Sequence, residues 1–274
     1  MNRTLAEKRA DFRALHQEGC FVLPNPWDIG SARMLQHLGF SALASTSAGY
    51  AWTMGHSDNG VTRDGVLAHL ASLCAAVDLP VNADFESGFA TAPEAVASNV
   101  ALAIDSGVAG LSIEDRDMAA PAQLYEAGLA VERIKAARAA IDGSGQNVIL
   151  VARTEGLFGN PEAVGPAIDR LVAFAAAGAD CLYAPGLWGK DNIAAVVRAV
   201  APKPVNVLIM RPDLGTAELA DLGVRRISIG GSLARVAWGA MLAAAEQIKA
   251  GSYAGLASGM PHGQLNSIFD SFEP

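Results

Sequence analysis

Long apolar runs are missing from this 274-residue chain: none approaches the roughly 18 residues of a membrane-spanning helix. Its first residues, Met1-Asn2-Arg3-Thr4-Leu5-Ala6-Glu7, carry no apolar core of signal-peptide length. A soluble, cytoplasmic protein without a membrane partner is therefore expected. Cysteine is scarce too. Cys20, Cys74 and Cys181 stand far apart in apolar surroundings with no CxxC pair, which reads as buried thiols in a reducing compartment and not as a disulfide framework. Positive charge is outnumbered, 20 Lys and Arg against 28 Asp and Glu, for a net charge of −8. That balance argues against nucleic acid or an anionic membrane as the main partner. It leaves room for a small anionic substrate, because a local site can be cationic in an acidic protein.

Apolar residues make up half of the chain, rich in alanine and glycine and poor in aromatics (6%). This composition suits helices packed closely on a sheet. An amphipathic segment over residues 4–19 precedes a short apolar strand at 20–24, and Asp28 is placed to cap a helix running to Gly39. Further apolar runs follow at 41–46, 81–85, 110–115, 148–153, 180–184, 204–209 and 226–230. Helical segments are expected at 63–77, 92–106, 122–141, 161–177, 192–200, 217–222 and 232–251. Ser47-Ala48-Gly49 reads as a tight turn. Runs apolar throughout are strands buried on both faces. Eight βα units in about 250 residues match a closed (β/α)8 TIM barrel. The runner-up, an open doubly wound sheet, lacks its glycine fingerprint, since Asn25-Pro26-Trp27-Asp28 fills the first turn. With no linker or low-complexity segment, residues 1–274 are taken as one domain. Residues 253–274 form a C-terminal helical tail, with Leu256, Leu265, Ile268, Phe269 and Phe272 at helical spacing, expected to dock on this barrel or on a neighbouring subunit.

Side chains alternate along a strand, so Asn82, Asp84 and, if extension persists, Glu86 share a face in Val81-Asn82-Ala83-Asp84-Phe85-Glu86-Ser87-Gly88. Two acids at a strand end beside a glycine are a candidate cradle for a hard divalent cation, and read equally as a solvated strand-to-loop junction. Barrel chemistry gathers at the carboxyl ends of the strands. Those ends supply Asn25, Asp28, Ser45 to Gly49, Asp84, Glu86, Glu114, Asp115, Arg153, Glu155, Tyr183 to Gly186, Asn206 and Ser228. Four or five carboxylates around one arginine need a cation or shared protons. Magnesium suits oxygen ligands, and zinc lacks its His and Cys. Arg153 is either a clamp for a substrate carboxylate or a structural partner of Glu155 or Glu114.

Taken in order, Pro24-Asn25-Pro26-Trp27-Asp28, Ser45-Thr46-Ser47-Ala48-Gly49, Asp58, Ala83-Asp84-Phe85-Glu86-Ser87-Gly88, Ile113-Glu114-Asp115 and Ala152-Arg153-Thr154-Glu155 resemble the isocitrate lyase/phosphoenolpyruvate mutase superfamily over nearly the whole chain. The resemblance implies a (β/α)8 barrel whose last helix swaps onto a partner, in a homodimer or homotetramer. It implies Mg²⁺, with Mn²⁺ as a substitute, held mainly by Asp84, with Glu86, Glu114 and Asp58 ligating directly or through water. Glu86 stands where family members mostly carry aspartate. It implies Arg153, Glu114 and Asp58 as catalytic residues, and Thr46, Ser47, Ala48 and Arg153 as the binding site for a small 2-oxo or 2-hydroxy carboxylate. The chain departs from the pattern after Glu114. The Lys-Lys/Arg-Cys-Gly-His loop of the isocitrate and methylisocitrate lyases is missing, as are the lysine and asparagine of the phosphonate-cleaving members. Residues 115–121 lead directly towards the next helix. What remains is a loop-less, oxaloacetate-decarboxylase-like or methylisocitrate-lyase-like member. The expected function is magnesium-dependent carbon–carbon cleavage of a small di- or tricarboxylate through an enolate. A catalytically silent 2-oxo-acid-binding barrel and a phosphonopyruvate- or phosphoenolpyruvate-type enzyme stay as alternatives. Tyr183, His56 or a metal-bound water are the candidate proton donors.

Overall fold

A computed structural model describes residues 3–272 of the chain. Helix α1 (Leu5–Leu15) comes first, its N-terminus closed by a capping box between Thr4 and Glu7. The strands and helices then alternate: β1 (Phe21–Leu23), α2 (Ile29–His37), β2 (Leu43–Ala44), α3 (Ser47–Thr53), α4 (Arg63–Ala76), β3 (Val81–Asp84), α5 (Pro93–Asp105), β4 (Gly110–Glu114) and α6 (Ala127–Gly143). The second half continues with β5 (Ile149–Arg153), α7 (Val164–Ala176), β6 (Cys181–Tyr183), α8 (Lys190–Val200), β7 (Val205–Leu208), α9 (Thr216–Asp221), β8 (Arg226–Ser228), α10 (Ser232–Lys249) and α11 (His262–Asp270).

All eight strands are parallel, in the order β1-β8-β7-β6-β5-β4-β3-β2. The first strand lies against the last, with Val22 opposite Ile227, which rules out the open doubly wound sheet. Only the seam between β1 and β2 lacks a ladder. There the Ala44 amide donates to the Pro24 carbonyl at 3.1 Å, and the Asn25 side-chain amide donates to the Ser45 carbonyl at 2.9 Å. The barrel is thus nearly closed, an α/β TIM-barrel-like fold. Strand burial is unbroken through β4 (Gly110–Glu114), as expected for a parallel strand covered on both faces. Phe12 of α1, fully buried, plugs the amino-terminal end of the barrel beside Gly110, where a Cβ would come within 2.7 Å of its ring.

Several expectations need correction. Ser47-Ala48-Gly49 is no turn but the first turn of α3, because the Thr46 hydroxyl accepts from the Gly49 amide at 3.2 Å and caps a helix there. The helix expected from residue 122 starts at Ala127. Its first residues are used in a small hairpin, where Arg116 pairs with Leu124 and the Asp117 amide donates to the Gln123 carbonyl at 3.0 Å. Asp28 caps α2 in a reciprocal box with Ser31 and does not join the acids at the barrel mouth. In the tail, α11 packs on α2 of the same chain, with Ile268 buried and the Arg33 guanidinium 5.3 Å from the centre of the Phe272 ring. Glu273 and Pro274 of the expected tail, like Met1 and Asn2 of the expected domain, lie outside the described residues. Among the described residues no helix is long and apolar enough to cross a membrane.

Candidate active site

Strands β3, β4 and β5 deliver their last residues side by side. In register, Asp84 lies opposite Ser112 and Glu114 opposite Arg153. Extension ends at Asp84. Glu86 adopts φ +47°, in the left-handed region, so the expected continuation of the strand to residue 86 does not hold. Its carboxylate nevertheless joins the same cluster. The loop that carries it is fixed by Arg133, a fully buried guanidinium that donates to the carbonyls of Ser87, Ala90 and Thr91 and lies 4.2 Å from the centre of the Tyr125 ring.

Arg153 is the hub. It pairs with Asp84 at 3.3 Å, with Glu114 at 3.3 Å and with Glu155 at closer range. Those acids hold its guanidinium pKa well above its ordinary value despite burial. Asp84 is further held by the Ser47 amide (3.1 Å) and hydroxyl (3.0 Å), so the N-terminus of α3 is directed at this carboxylate. Asp58 joins from the loop after α3, its Oδ1 3.4 Å from the Ser47 hydroxyl. Burial first, and the charge of Asp84 second, push its pKa up.

Glu86 is the most perturbed acid. Burial, then Asp84, Glu114 and Asp58, push its pKa to about 8, and its Oε1 is buried without a hydrogen-bond partner. Burial likewise pushes Glu114 to about 7, against the opposing pull of Arg153. Asp58, Glu86 and Glu114 are thus all pushed up towards the protonated form, and with Asp84 they bring together the oxygen-donor type that a hard divalent cation takes. The Glu86 Oε1, buried without a hydrogen-bond partner, is a donor of the kind such a cation would use. In the rotamers described, Arg153 sits at the centre of the cluster, and among the described residues no three acids surround a common point at ligand distance.

The expectation of a single arginine among the acids was too sparse. Arg116 pairs with Glu155 at 2.5 Å and reaches Glu114 at 3.6 Å, and Arg170 pairs with Asp115 at 3.2 Å. Asp115 faces away from the mouth. It accepts the Thr154 hydroxyl at 2.7 Å and the Glu155 amide at 2.9 Å, and so orients β5's end. Arg116 and Arg170 lie in a loop and a helix face, where sequence offers no periodicity to point at the barrel mouth.

One cavity of about 170 Å³ gathers Thr46, Ser47, Ala48, Asp58, Asp84 and Arg153 with Tyr183 and, deeper, Arg226. Thr46 spends its hydroxyl on the α3 cap, leaving Ser47 and Ala48 as the half-buried start of that helix on the cavity wall. Tyr183 is buried, its pKa pushed up to about 12 mainly by burial, with the Arg153 guanidinium 5.2 Å from its ring centre. His56 is exposed and outside this cavity. Asn25 lines the cavity, but its amide oxygen is committed to the backbone of Ile229 and Gly230 at 3.0 and 2.9 Å.

A nearly closed barrel with buried acids and arginines gathered at the carboxyl ends of β3 to β5 has its charged groups where barrel enzymes carry their chemistry. The profile of the phosphoenolpyruvate phosphomutase family matches residues 12–249, and the chain belongs to that family, within the isocitrate lyase/phosphoenolpyruvate mutase superfamily. It is 34% identical to an uncharacterised protein of Mycobacterium tuberculosis, over 80% of this chain and 81% of that one. It is 29% identical to the oxaloacetate decarboxylase of Paraburkholderia xenovorans, over 81% and 74%. Among solved structures, a Burkholderia cenocepacia J2315 protein provisionally described as a lyase/mutase superposes with a TM-score of 0.94, at 44% identity over 98% of this chain and 99% of that one. A 2,3-dimethylmalate lyase superposes with a TM-score of 0.85, at 27% identity over 98% and 96%.

Proposed function

We propose that this enzyme is a magnesium-dependent carbon–carbon lyase acting on a small 2-oxo or 2-hydroxy di- or tricarboxylate through an enolate. The observation that carries the reading is the acid cluster at the barrel mouth: Asp58 and Asp84 line one cavity with Arg153 and the start of α3, and burial with neighbouring negative charge pushes the carboxyls of Asp58, Glu86 and Glu114 up. Similarity to an oxaloacetate decarboxylase and to a 2,3-dimethylmalate lyase supports the same class of reaction.

In this reading Asp84 is the principal ligand of Mg²⁺ or Mn²⁺, with Glu86, Glu114 and Asp58 completing the oxygen set. The ion, when bound, supplies Lewis-acid stabilisation of negative charge on the 2-oxo oxygen. Arg153 holds the substrate carboxylate with the side of its fork not committed to the acids, and the backbone of Ser47 and Ala48 receives the neighbouring oxygens. In the decarboxylation of a 2-oxo acid the bond from C3 to the departing carboxylate breaks, CO₂ leaves, and the bond's electron pair passes through C3 onto the C2 oxygen, giving the enolate. Tyr183, protonated at neutral pH and lining the cavity, donates its phenolic proton to C3 of the enolate and takes one back from water. Decarboxylation needs only this electron sink, so the cysteine- and lysine-bearing loop of other lyases is dispensable. Here residues 116–124 close into the small hairpin pinned by Tyr125, whose hydroxyl lies 3.2 Å from both the Met118 amide and the Thr91 hydroxyl.

That loop is also the observation favouring a second reading, a barrel that binds a 2-oxo acid without turnover. Turnover of oxaloacetate that EDTA abolishes and Mg²⁺ restores establishes the lyase. Thermal stabilisation by a 2-oxo acid with no turnover of any tested acid establishes the silent binder.

A further inference from the structure

Beneath the acids the barrel interior carries a second guanidinium of a different kind. Arg226 of β8 is 3% exposed and lines the floor of the active-site cavity. Its Nε donates to Asn206 Oδ1 at 2.9 Å and its Nη1 to Asn82 Oδ1 at 3.2 Å. Both amides are locked in that orientation, since Asn206 Nδ2 donates to the Ser228 hydroxyl at 3.0 Å and Asn82 Nδ2 to the Ala83 carbonyl at 2.9 Å. Gly110 makes room for the arrangement, for a Cβ there would lie 2.7 Å from Asn82 Oδ1. These partners are dipoles, not charges. Among the described residues no carboxylate forms an ion pair with Arg226, whereas Arg153 in the same cavity has three. Three other ionisable groups act on it: burial pushes the Cys181 thiol up to about 11 and the Tyr183 phenol up to about 12, so both are neutral at pH 7, and Asp84, the weakest influence of the three, is ion-paired with Arg153 at 3.3 Å and not with Arg226.

A buried charge with only neutral partners is expensive to keep, and an arginine cannot escape by losing its proton. Asn82, Asn206 and Ser228 are buried along with it. We infer that Arg226, with Asn82 and Asn206, is a deep anion subsite that receives one carboxylate of a dicarboxylate substrate, the other lying at the Arg153 end of the cavity. This rests on the reading of the cavity as a carboxylate site and adds its second point of attachment.

The test is the binding of malonate and succinate in EDTA, by calorimetry and thermal shift, with acetate as the monoanion control. Wild-type protein is expected to bind the dianions saturably and acetate far more weakly. The isosteric variants Asn206→Asp and Asn82→Asp place a carboxylate against the guanidinium. Each is expected to unfold at a higher temperature than wild type without ligand, and to weaken dianion binding on the order of 30-fold or more. Dianion binding unchanged in Asn206→Asp overturns the inference, as does no preference for dianions in the wild type. Destabilisation of both variants overturns it as well, since an uncompensated cation must welcome the added charge. Neither readout needs metal or turnover. Oxaloacetate cleavage without dianion binding removes only this inference, and dianion binding without cleavage removes only the lyase reading.

Discussion

At the residue scale, Asp84 links Arg153 and α3, since it accepts from the Ser47 amide and hydroxyl and pairs with Arg153, and in the proposed reading it is the principal metal ligand. Asp84→Ala should abolish both Mg²⁺ binding and turnover, the first read by calorimetry and the second as a fall in kcat/KM of a hundredfold or more, on the order of removing a main charge-stabilising group. Metal affinity retained in that variant would move the site elsewhere. Tyr183→Phe should lower kcat with little change in KM, because the phenol's role is confined to returning the proton. Equal losses in both would make it a binding group. Glu155, 4% exposed between Arg153 and Arg116, serves another purpose. Glu155→Gln leaves two guanidinium groups short of a buried counter-charge and should cost about 3–5 kcal/mol in denaturant unfolding. Asp84, Glu114 and Glu155 were legible in the sequence because strand ends announce themselves by the apolar runs before them, whereas Asp58, in the loop between α3 and α4, was indicated only by the family resemblance. Arg116 was not legible, since it reaches Glu114 and Glu155 from a hairpin whose placement no local pattern encodes, and Arg170 of α7 stands behind the site, paired with Asp115. Glu86 was legible as an acid of the cluster but not as a left-handed residue, because its backbone is set by the loop that Arg133 ties down.

At the scale of elements, α1 shows how one short helix completes the barrel. Phe12 enters the amino-terminal end and meets Phe21 and His16 edge-on, at 6.3 and 4.7 Å between ring centres. Phe12→Ala should therefore cost about 3–5 kcal/mol, a loss readable in chemical denaturation with the active site untouched. His16 makes α1 sensitive to acid. It is buried, its Nδ1 lies 2.7 Å from the Phe12 carbonyl, and its Nε2 has no partner. Burial lowers its folded pKa to about 3, below the unfolded value near 6.5. Its contribution is thus fully present above pH 6.5 and is lost as pH falls from there towards 3, at about 1.4 kcal/mol per pH unit. The slope of unfolding free energy against pH between 6 and 4 should flatten by that amount in His16→Gln. An unchanged slope would show that His16 is protonated in the fold. The eight strands were readable from their apolar runs, most plainly β4 and β5. Helix α3 was not, because Ser-Ala-Gly is turn-like in composition and only the Thr46 cap, fixed by β2 before it, selects a helix.

For the whole molecule, the open question is what covers α10. Its 18 residues bury only Ala234, while Val236, Met241 and Leu242 are 67%, 49% and 57% exposed, and Tyr253 and Leu256 beyond it are exposed too. So much apolar surface on one element marks an interface. We propose a homodimer or homotetramer in which α10 packs on a second copy, in line with the helix exchange expected from the family resemblance. Leu242→Asp should shift the light-scattering mass to that of a monomer, and wild-type protein that is already monomeric would contradict the proposal. The barrel itself was legible from the count and spacing of strands, whereas the coverage of α10 depends on contacts outside one chain.

The account stands or falls on whether the crowded acids support carbon–carbon cleavage. The direct measurement is the release of CO₂ and pyruvate from oxaloacetate at neutral pH, for wild type and Asp84→Ala, with EDTA and with Mg²⁺ restored, against the uncatalysed rate. The account predicts turnover that EDTA removes, Mg²⁺ returns and Asp84→Ala lacks, or the same pattern on another small 2-oxo or 2-hydroxy di- or tricarboxylate if oxaloacetate is not the substrate. Turnover indifferent to EDTA, or no turnover of any such acid, would contradict it.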